Sequence, residues 1–160
     1  MSQMNIEYIN PFITAATSVL QTACSLQLTS GKPYVKTTSF SEDSLVICIG
    51  ITGQLGGQVL LACSNSVACE IASRMCMMQM DTLDDLAMSA LSELGNMVLG
   101  NAATLLSNKD IIIDITPPII IKGNFVMERT YARNICIPMN FDGDKLIEFD
   151  VSITEEPKKC

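Results

Sequence analysis

The spacing of apolar residues predicts three helices, of which the first lies near the N-terminus. Apolar residues there recur three and four positions apart, as in a helix that buries one stripe. Either Asn10 caps this helix with Pro11 at its first position, or the helix begins one turn earlier at Asn5. The buried stripe is expected to consist of Phe12, Ala15, Ala16, Val19, Leu20 and Ala23.

Two further helices are predicted in the middle of the chain. Ser64 is a favourable N-cap for the short segment SNSVACEIASRMC, whose larger apolar residues are four apart. The third helix is long, and it is expected to begin with Thr82 as its cap and to end near Ser107. Asp84 and Asp85 would then lie in its first turn, where the helix dipole favours negative charge.

Alternating and continuous apolar runs predict strands on both sides of the long helix. Before it, YVKTTSF alternates, and SLVICIGI and GQVLLAC form a hairpin across the glycine-rich turn 53–57. After it come IIIDIT, IIIKG, NICIPMNF and LIEFDVSI, separated by Pro117-Pro118 and the turn DGDK. This order predicts a loosely repeated unit of one helix and about three strands. The fold class is therefore α+β, a largely antiparallel sheet with long helices packed on it.

Length, composition and charge narrow the functional classes. Residues 1–160 are expected to form one domain, with a disordered tail at 154–160. The net charge is −7 and no run of Lys or Arg occurs, which argues against nucleic acid or an anionic membrane as partner. No apolar run approaches the ~20 residues of a membrane span, and the N-terminus lacks the regions of a signal peptide. A soluble, cytoplasmic protein is expected.

The cysteine and histidine content restricts the chemistry. The seven cysteines contain no CxxC pair and lie mostly in apolar segments, which is typical of free thiols in a reducing compartment. The chain has no histidine, so Ser-His and Cys-His nucleophiles and most zinc sites are excluded.

The stretch LSELGNMVLGNAATLL sets polar and glycine residues into the long helix. At about 100° per residue, Ser89, Glu93, Asn96 and Gly100 fall within about 60° of arc, and these four residues are here called the polar ridge. Asn101 falls about 120° from Ser89, inside the predicted core stripe, and is expected to be buried and hydrogen-bonded to backbone. The core stripe is expected to consist of Leu86, Ala90, Leu94, Met97, Val98 and Leu105.

The polar ridge is either an ordinary solvated helix face or an interaction surface. A solvated face usually carries Lys or Arg, but this helix has no basic residue before Lys109. Gly95 and Gly100 each cost about 1 kcal/mol relative to alanine in a helix interior. Glycines at such positions indicate that another segment approaches closely, either within the fold or from outside.

The same residues resemble the signature helix of the CheC/CheX/FliY family of chemotaxis phosphatases, whose pattern is (D/S)xxxExxNxxxxN. Ser89, Glu93, Asn96 and Asn101 meet its four fixed positions. NPF near the N-terminus, IGITGQLGGQVLLACS and DITPPIIIKG are similar to the corresponding stretches of the family's CheX members, in the same order. The resemblance covers residues 10–153 and includes one copy of the motif, whereas CheC-type members usually carry two.

The resemblance implies a CheC-like fold and a phosphatase for the phospho-aspartate of CheY-like response regulators. On the family pattern, Glu93 and Asn96 are the catalytic pair: Glu93 contacts the regulator's active-site lysine, and Asn96 orients a water for in-line attack. Ser89 and Gly100 are expected to contact the partner. The Mg²⁺ belongs to the regulator, so no cofactor or metal of the protein's own is expected, and a homodimer joined through the sheets is implied.

Two other functions stay open at this point. The chain could be a module that binds a response regulator without hydrolysing its phosphoryl group, or an oligomerisation domain.

Overall fold

A computed structural model describes residues 6–35, 38–127 and 134–155. For residues 38 and 39 it describes the backbone only. Within these ranges the helices are α1 (Ile6–Cys24), α2 (Asn65–Cys76) and α3 (Asp85–Ser107). The strands are β1 (Thr29–Ser30), β2 (Tyr34–Val35), β3 (Thr38–Phe40), β4 (Ser44–Gly53), β5 (Leu55–Ser64), β6 (Ile113–Ile115), β7 (Ile119–Lys122), β8 (Phe125–Met127), β9 (Ile135–Phe141) and β10 (Lys145–Glu155).

The ends of the helices follow from local capping. α1 already includes Ile6, which agrees with the earlier of its two predicted starts, while Asn5 itself lies outside the described residues. The Ser64 cap of α2 is confirmed, since its Oγ accepts a hydrogen bond from the backbone N–H of Val67 at 3.2 Å. The prediction that Thr82 caps α3 is wrong.

Asp84 is the residue that caps α3. Its carboxylate accepts a hydrogen bond from the backbone N–H of Ala87 at 2.9 Å. A carboxylate at this position satisfies a free amide and also interacts favourably with the positive end of the helix dipole. α3 ends at Ser107, as predicted.

All strand pairs of the described residues are antiparallel. The main sheet has the order β1-β9-β10-β5-β4-β6, with β2 also paired to β9 and β7 also paired to β4. The predicted hairpin is confirmed: β4 and β5 pair up to Ile51 and Gly57. A second, two-stranded sheet consists of β3 and β8. The predicted α+β class with a largely antiparallel sheet is confirmed.

The predicted repeat is present, with more strands than the apolar runs suggested. One half consists of α1 and β1 to β5, and the other of α3 and β6 to β10, with α2 between them. The hairpins β4–β5 and β9–β10 meet along β5 and β10 at the centre of the main sheet. The short strands β1 and β2 pair with β9 of the other half, and β6 and β7 pair with β4. Each half therefore supplies the outer strands of its counterpart.

The main core lies between the helices and one face of the sheet. α1 packs against α3, and α2 contacts both of them. Phe12 of α1, Leu99 of α3 and Phe149 of β10 are completely buried in this core. The other face carries a smaller cluster around Phe40, whose ring lies 4.9 Å from that of Phe125, measured between centroids.

The described chain reaches beyond the predicted start of the tail. Thr154 and Glu155 continue β10 and pair with Gly56 and Leu55. The expectation of a disordered tail from residue 154 is therefore wrong for these two residues, because they complete the central pairing with β5. Residues 156–160 lie outside the described part of the chain.

Candidate functional site

α3 presents the polar ridge on its exposed face. Ser89, Glu93 and Asn96 are exposed and Gly100 is partly exposed. The buried side of α3 is centred about 160° around the helix axis from the ridge. It consists of Ala87, Leu91, Leu94, Gly95, Val98, Leu99, Ala102 and Leu106. Burial of this side in the core fixes the direction in which the ridge points.

The two glycines of the motif segment have different surroundings. A Cβ atom at Gly95 would lie 2.9 Å from Cδ1 of Ile49 and 3.0 Å from Cγ2 of Ile47, so α3 approaches β4 closely at this point. A Cβ atom at Gly100 would meet nothing within 4 Å. The glycine at position 95 is thus explained within the fold, whereas the described fold gives no packing reason for the glycine at position 100.

Glu93 and Asn96 are held close together by the helix. Residues three apart on a helix are neighbours, with Cβ atoms about 5–6 Å apart. Neither side chain makes a hydrogen bond or an ion pair with any residue in the described ranges. A carboxylate and an amide therefore project side by side from a convex surface, and both are available to another molecule.

The charged residues of α3 and of the segment directly before it are all negative. No Lys or Arg occurs between residues 75 and 108, while Asp81, Asp84, Asp85 and Glu93 are all exposed. An acidic, convex helix face is suited to entering a pocket of a partner that contributes positive charge.

The prediction for Asn101 is wrong. Asn101 is exposed, and within the described residues its side chain makes no hydrogen bond to the backbone. The predicted core stripe is wrong at Leu86 as well, which is 51% exposed, while Ala90 and Met97 are only partly buried. Leu94 and Val98 are buried as predicted, and Leu105 is partly buried.

The error has a simple physical cause. The prediction placed the core where large apolar residues cluster on the wheel, at about 60–180° from Ser89. The observed core is centred near 210° because Ala87, Gly95 and Ala102 are buried with Leu91 and Leu99. Small residues bring the helix close to its neighbours, so the buried side is centred on them rather than on the largest apolar side chains.

A second group of titratable side chains lies on the sheet, away from α3. Ligand atoms of Cys136, Glu148 and Asp150 lie within 4.8 Å of one another, because β9 and β10 pair Cys136 with Asp150. Tyr34 donates a hydrogen bond to Oε1 of Glu148 at 3.3 Å. Burial raises the pKa of the Cys136 thiol to about 12, so it is protonated at neutral pH. No sequence pattern indicates this group, because only the register of β9 and β10 brings its members together.

The remaining cysteines agree with the expectation of free thiols. No disulfide bond forms among the cysteines within the described ranges. Burial raises the pKa of Cys24 to about 11 and that of Cys63 to about 12, which disfavours the reactive thiolate. Cys24 and Cys63 are therefore poor candidates for a nucleophile.

Comparison with known proteins gives one consistent result. The sequence model described as Chemotaxis phosphatase CheX matches residues 45–140, which include the whole polar ridge. The CheY-P phosphatase CheX of Thermotoga maritima is 28% identical over 151 residues, covering 94% of this chain and 97% of that protein.

Solved structures agree with the sequence comparison. The CheX chain in the CheX–CheY–BeF3–Mg²⁺ complex from Borrelia burgdorferi is similar, with a TM-score of 0.82 and 29% identity. That match covers 94% of this chain and 100% of the other. A CheC-like superfamily protein from Shewanella sp. PV-4 has a TM-score of 0.84 and 27% identity, covering 94% of this chain and 99% of the other.

Proposed function

Since this chain belongs to the chemotaxis phosphatase CheX family, we propose that it hydrolyses the phospho-aspartate of a CheY-like response regulator. The observation that carries the proposal is the pair Glu93 and Asn96, exposed side by side on α3 without partners in the described fold. The Borrelia burgdorferi relative forms a complex with CheY, which supports a response regulator as the partner.

Asn96 is proposed to position the attacking water. An acyl phosphate is already activated, so a water held in line with the bond between phosphorus and the aspartyl oxygen supplies much of the required catalysis. An amide both donates and accepts hydrogen bonds, which allows it to hold a water at a fixed angle. The water oxygen forms the new bond to phosphorus, and the aspartate carboxylate leaves.

Glu93 is proposed to anchor the regulator through its active-site lysine. A charge-assisted hydrogen bond between a carboxylate and an ammonium group is shorter and stronger than a neutral one. Because Glu93 lies one helical turn from Asn96, this bond would also set the position of the amide relative to the phosphoryl group. Ser89 and Gly100 have small side chains, so the ridge can come close to the partner.

The metal in this reaction is assigned to the partner. The Borrelia burgdorferi complex contains Mg²⁺ and BeF3 together with CheY. The ridge offers one carboxylate beside an amide and a hydroxyl, which is a poor donor set for Mg²⁺ without the partner's ligands. We therefore propose that the regulator supplies the Mg²⁺ and that the protein has no cofactor of its own.

A cytoplasmic homodimer joined through the sheets is also part of the proposal. Outer strands of the main sheet expose Val35 on β2 and Ile119 on β7, and apolar edges of this kind favour a partner along the sheet. Among the described helices, none has the length and apolar character needed to cross a membrane. Light scattering after size-exclusion chromatography measures the oligomeric state, and a monomer at micromolar concentration would contradict the dimer.

The phosphatase proposal is tested with a phosphorylated, Mg²⁺-loaded regulator whose decay is followed with and without the protein. Asn96→Ala is expected to reduce turnover on the order of 10²-fold at saturating regulator, because the water loses its fixed position. Glu93→Ala is expected to raise KM about tenfold or more, because a charged hydrogen bond is lost. Asn108→Ala removes the same kind of amide outside the ridge and serves as the matched control.

Each alternative function has its own outcome in this assay. Unchanged decay at saturating wild-type protein would support the non-catalytic binding module. Wild-type behaviour of both Glu93→Ala and Asn96→Ala in hydrolysis and binding would support a purely structural domain.

A further inference from the structure

A second stripe of accessible residues runs along α3 beside the polar ridge. It consists of Leu86, Ala90, Met97 and Asn101, and it is here called the α3 flank. Leu86 and Asn101 are exposed, and Ala90 and Met97 are partly exposed. The four positions lie about 60–120° from Ser89 on the wheel, between the ridge and the buried side of the helix.

Leu86 is the large apolar side chain of the flank that is about half exposed, and a single residue of this kind would be ordinary on any surface. Ala90 and Met97 pack against the main core and expose part of their apolar surface along the same side of the helix. Its spacings of four, seven and four residues keep the helical period, and the stripe is about 22 Å long, from 15 rises of 1.5 Å between Leu86 and Asn101. Ala90 forms a shallow position between the larger side chains of Leu86 and Met97. A low stripe with apolar residues at these intervals fits a second helix laid along it.

The flank lies directly beside Glu93 of the proposed catalytic pair. Ala90 precedes Glu93 by three residues and Met97 follows it by four, so both are its direct neighbours on the helix surface. Leu86 precedes Glu93 by seven residues, which places it two turns away on the same side. A partner that binds the carboxylate of Glu93 must therefore come within contact distance of this stripe.

The surrounding charge restricts the occupant further. Asp84 and Asp85 are exposed directly before Leu86 in the chain, and no basic residue lies between positions 75 and 108. Lys122 lines a surface hollow together with Asp81 and Leu83, farther from the ridge along the chain. The partner surface that fits is apolar along its centre and neutral or basic at the end near the start of α3.

We propose that the α3 flank is the affinity surface for the receiver domain of the response regulator. One helix of the receiver, beside its acyl-phosphate pocket, packs along Leu86, Ala90 and Met97, and Asn101 hydrogen-bonds to its far end. The polar ridge enters the pocket at the same time. The inference rests on the proposed function. In it, the ridge acts on the phosphoryl group, and the flank binds the regulator.

The test separates binding from turnover. Leu86→Ser and Met97→Ala are each expected to raise KM about fivefold, because each removes apolar contact area from the complex. The kcat of each variant is expected to stay within about twofold of wild type, since neither residue reaches the phosphoryl group. Dissociation constants for a CheY-like regulator activated with BeF3⁻ and Mg²⁺ should rise by the same factor as KM.

The chain offers two kinds of control. Leu86→Met keeps most of the apolar area that Leu86→Ser removes, so its KM is expected to equal that of wild type. Ile112→Ser removes an apolar side chain of similar exposure, 57%, in the loop beyond the far end of α3, and it is expected to leave KM and binding unchanged. Asn101→Ala is expected to raise KM as the apolar variants do, which distinguishes a contact to the partner from a role in the fold.

The outcomes distinguish this inference from the proposed function. If Asn96→Ala is inactive while all flank variants bind and turn over like wild type, the flank is not a partner surface and the phosphatase proposal stands. If wild type binds the activated regulator without hydrolysing its phosphoryl group and the flank variants weaken binding, the flank inference stands alone. Absence of both binding and hydrolysis in wild type, or a loss of kcat at unchanged KM in the flank variants, overturns the inference.

Discussion

A methyl group added at either of two glycines of α3 is expected to change stability in opposite directions. In a helix interior, alanine is favoured over glycine by about 1 kcal/mol. At Gly100 nothing opposes this gain, because a Cβ atom there would meet nothing within 4 Å. Gly100→Ala is therefore expected to stabilise the fold by about 0.5–1 kcal/mol.

At Gly95 the same gain is opposed by the sheet. The added methyl would lie 2.9 Å from Cδ1 of Ile49, which is the end of its side chain and can rotate away. It would lie 3.0 Å from Cγ2 of Ile47, which is bonded directly to Cβ and has less freedom to move. Overpacking of a core costs typically about 1–3 kcal/mol. The net expectation for Gly95→Ala is a destabilisation of up to about 2 kcal/mol.

Thermal and urea unfolding of the two variants measure this difference directly. For a chain of this size, 1 kcal/mol corresponds to about 2–4 °C in Tm. Gly100→Ala is expected to raise Tm and also to raise KM for the phosphorylated regulator, because the methyl projects from the polar ridge. Gly95→Ala is expected to lower Tm, with little effect on KM while the protein is folded.

Two results would refute this reasoning. Equal stabilisation by both substitutions would mean that α3 does not approach β4 as closely as the Gly95 contacts indicate. Higher stability of Gly100→Ala with unchanged KM would mean that the partner does not require the low surface at position 100.

Three further predictions concern stability and thiol chemistry. Asp84→Ala should cost about 1 kcal/mol in urea unfolding because α3 loses its cap, and Thr82→Ala should be nearly neutral; equal losses would contradict the assigned cap. Hydrogen bonding to Lys145, more than to any other group, lowers the pKa of Glu70 below 4.5, so its stabilising effect is present above pH 4.5 and lost as pH falls through the lowered value. The Tm difference between wild type and Glu70→Gln should thus shrink in acid, and a constant difference would refute the linkage. Cys136 should resist thiol reagents at pH 8 until the protein unfolds, and modification in the native state would contradict its pKa of about 12.

The elements that the sequence predicted well are those with strong local signals. The hairpin of β4 and β5 has a glycine-rich turn between two apolar runs, and Ser64 is a favourable cap directly before an amphipathic segment. The short strands β1 and β8 were missed because two or three residues carry no measurable periodicity. Their structure depends on pairing with distant strands.

The exposure of the polar ridge was predicted more accurately than that of the residues beside it. Glu93 and Asn96 are exposed as the ridge required, because polar residues at helical spacing locate a solvent-facing side. Asn101 and Leu86 were misplaced because the buried side of a helix is decided by how closely its neighbours approach. Gly95 shows this dependence, since its place against β4 is set by tertiary packing rather than by hydrophobicity.

The exchange of outer strands between the two halves has a consequence for folding kinetics. Most of the sheet is held by contacts between residues far apart in sequence, such as Val59 with Val151 and Tyr34 with Cys136. A high contact order of this kind slows folding, because the entropy of closing long loops is lost before strand pairing stabilises the chain. On the ribosome, β5 and β9 must wait for β10, the last described strand to be synthesised, before the centre of the sheet can form. The nascent protein is therefore expected to expose unpaired strand edges until β10 is made, and such edges can pair with other chains.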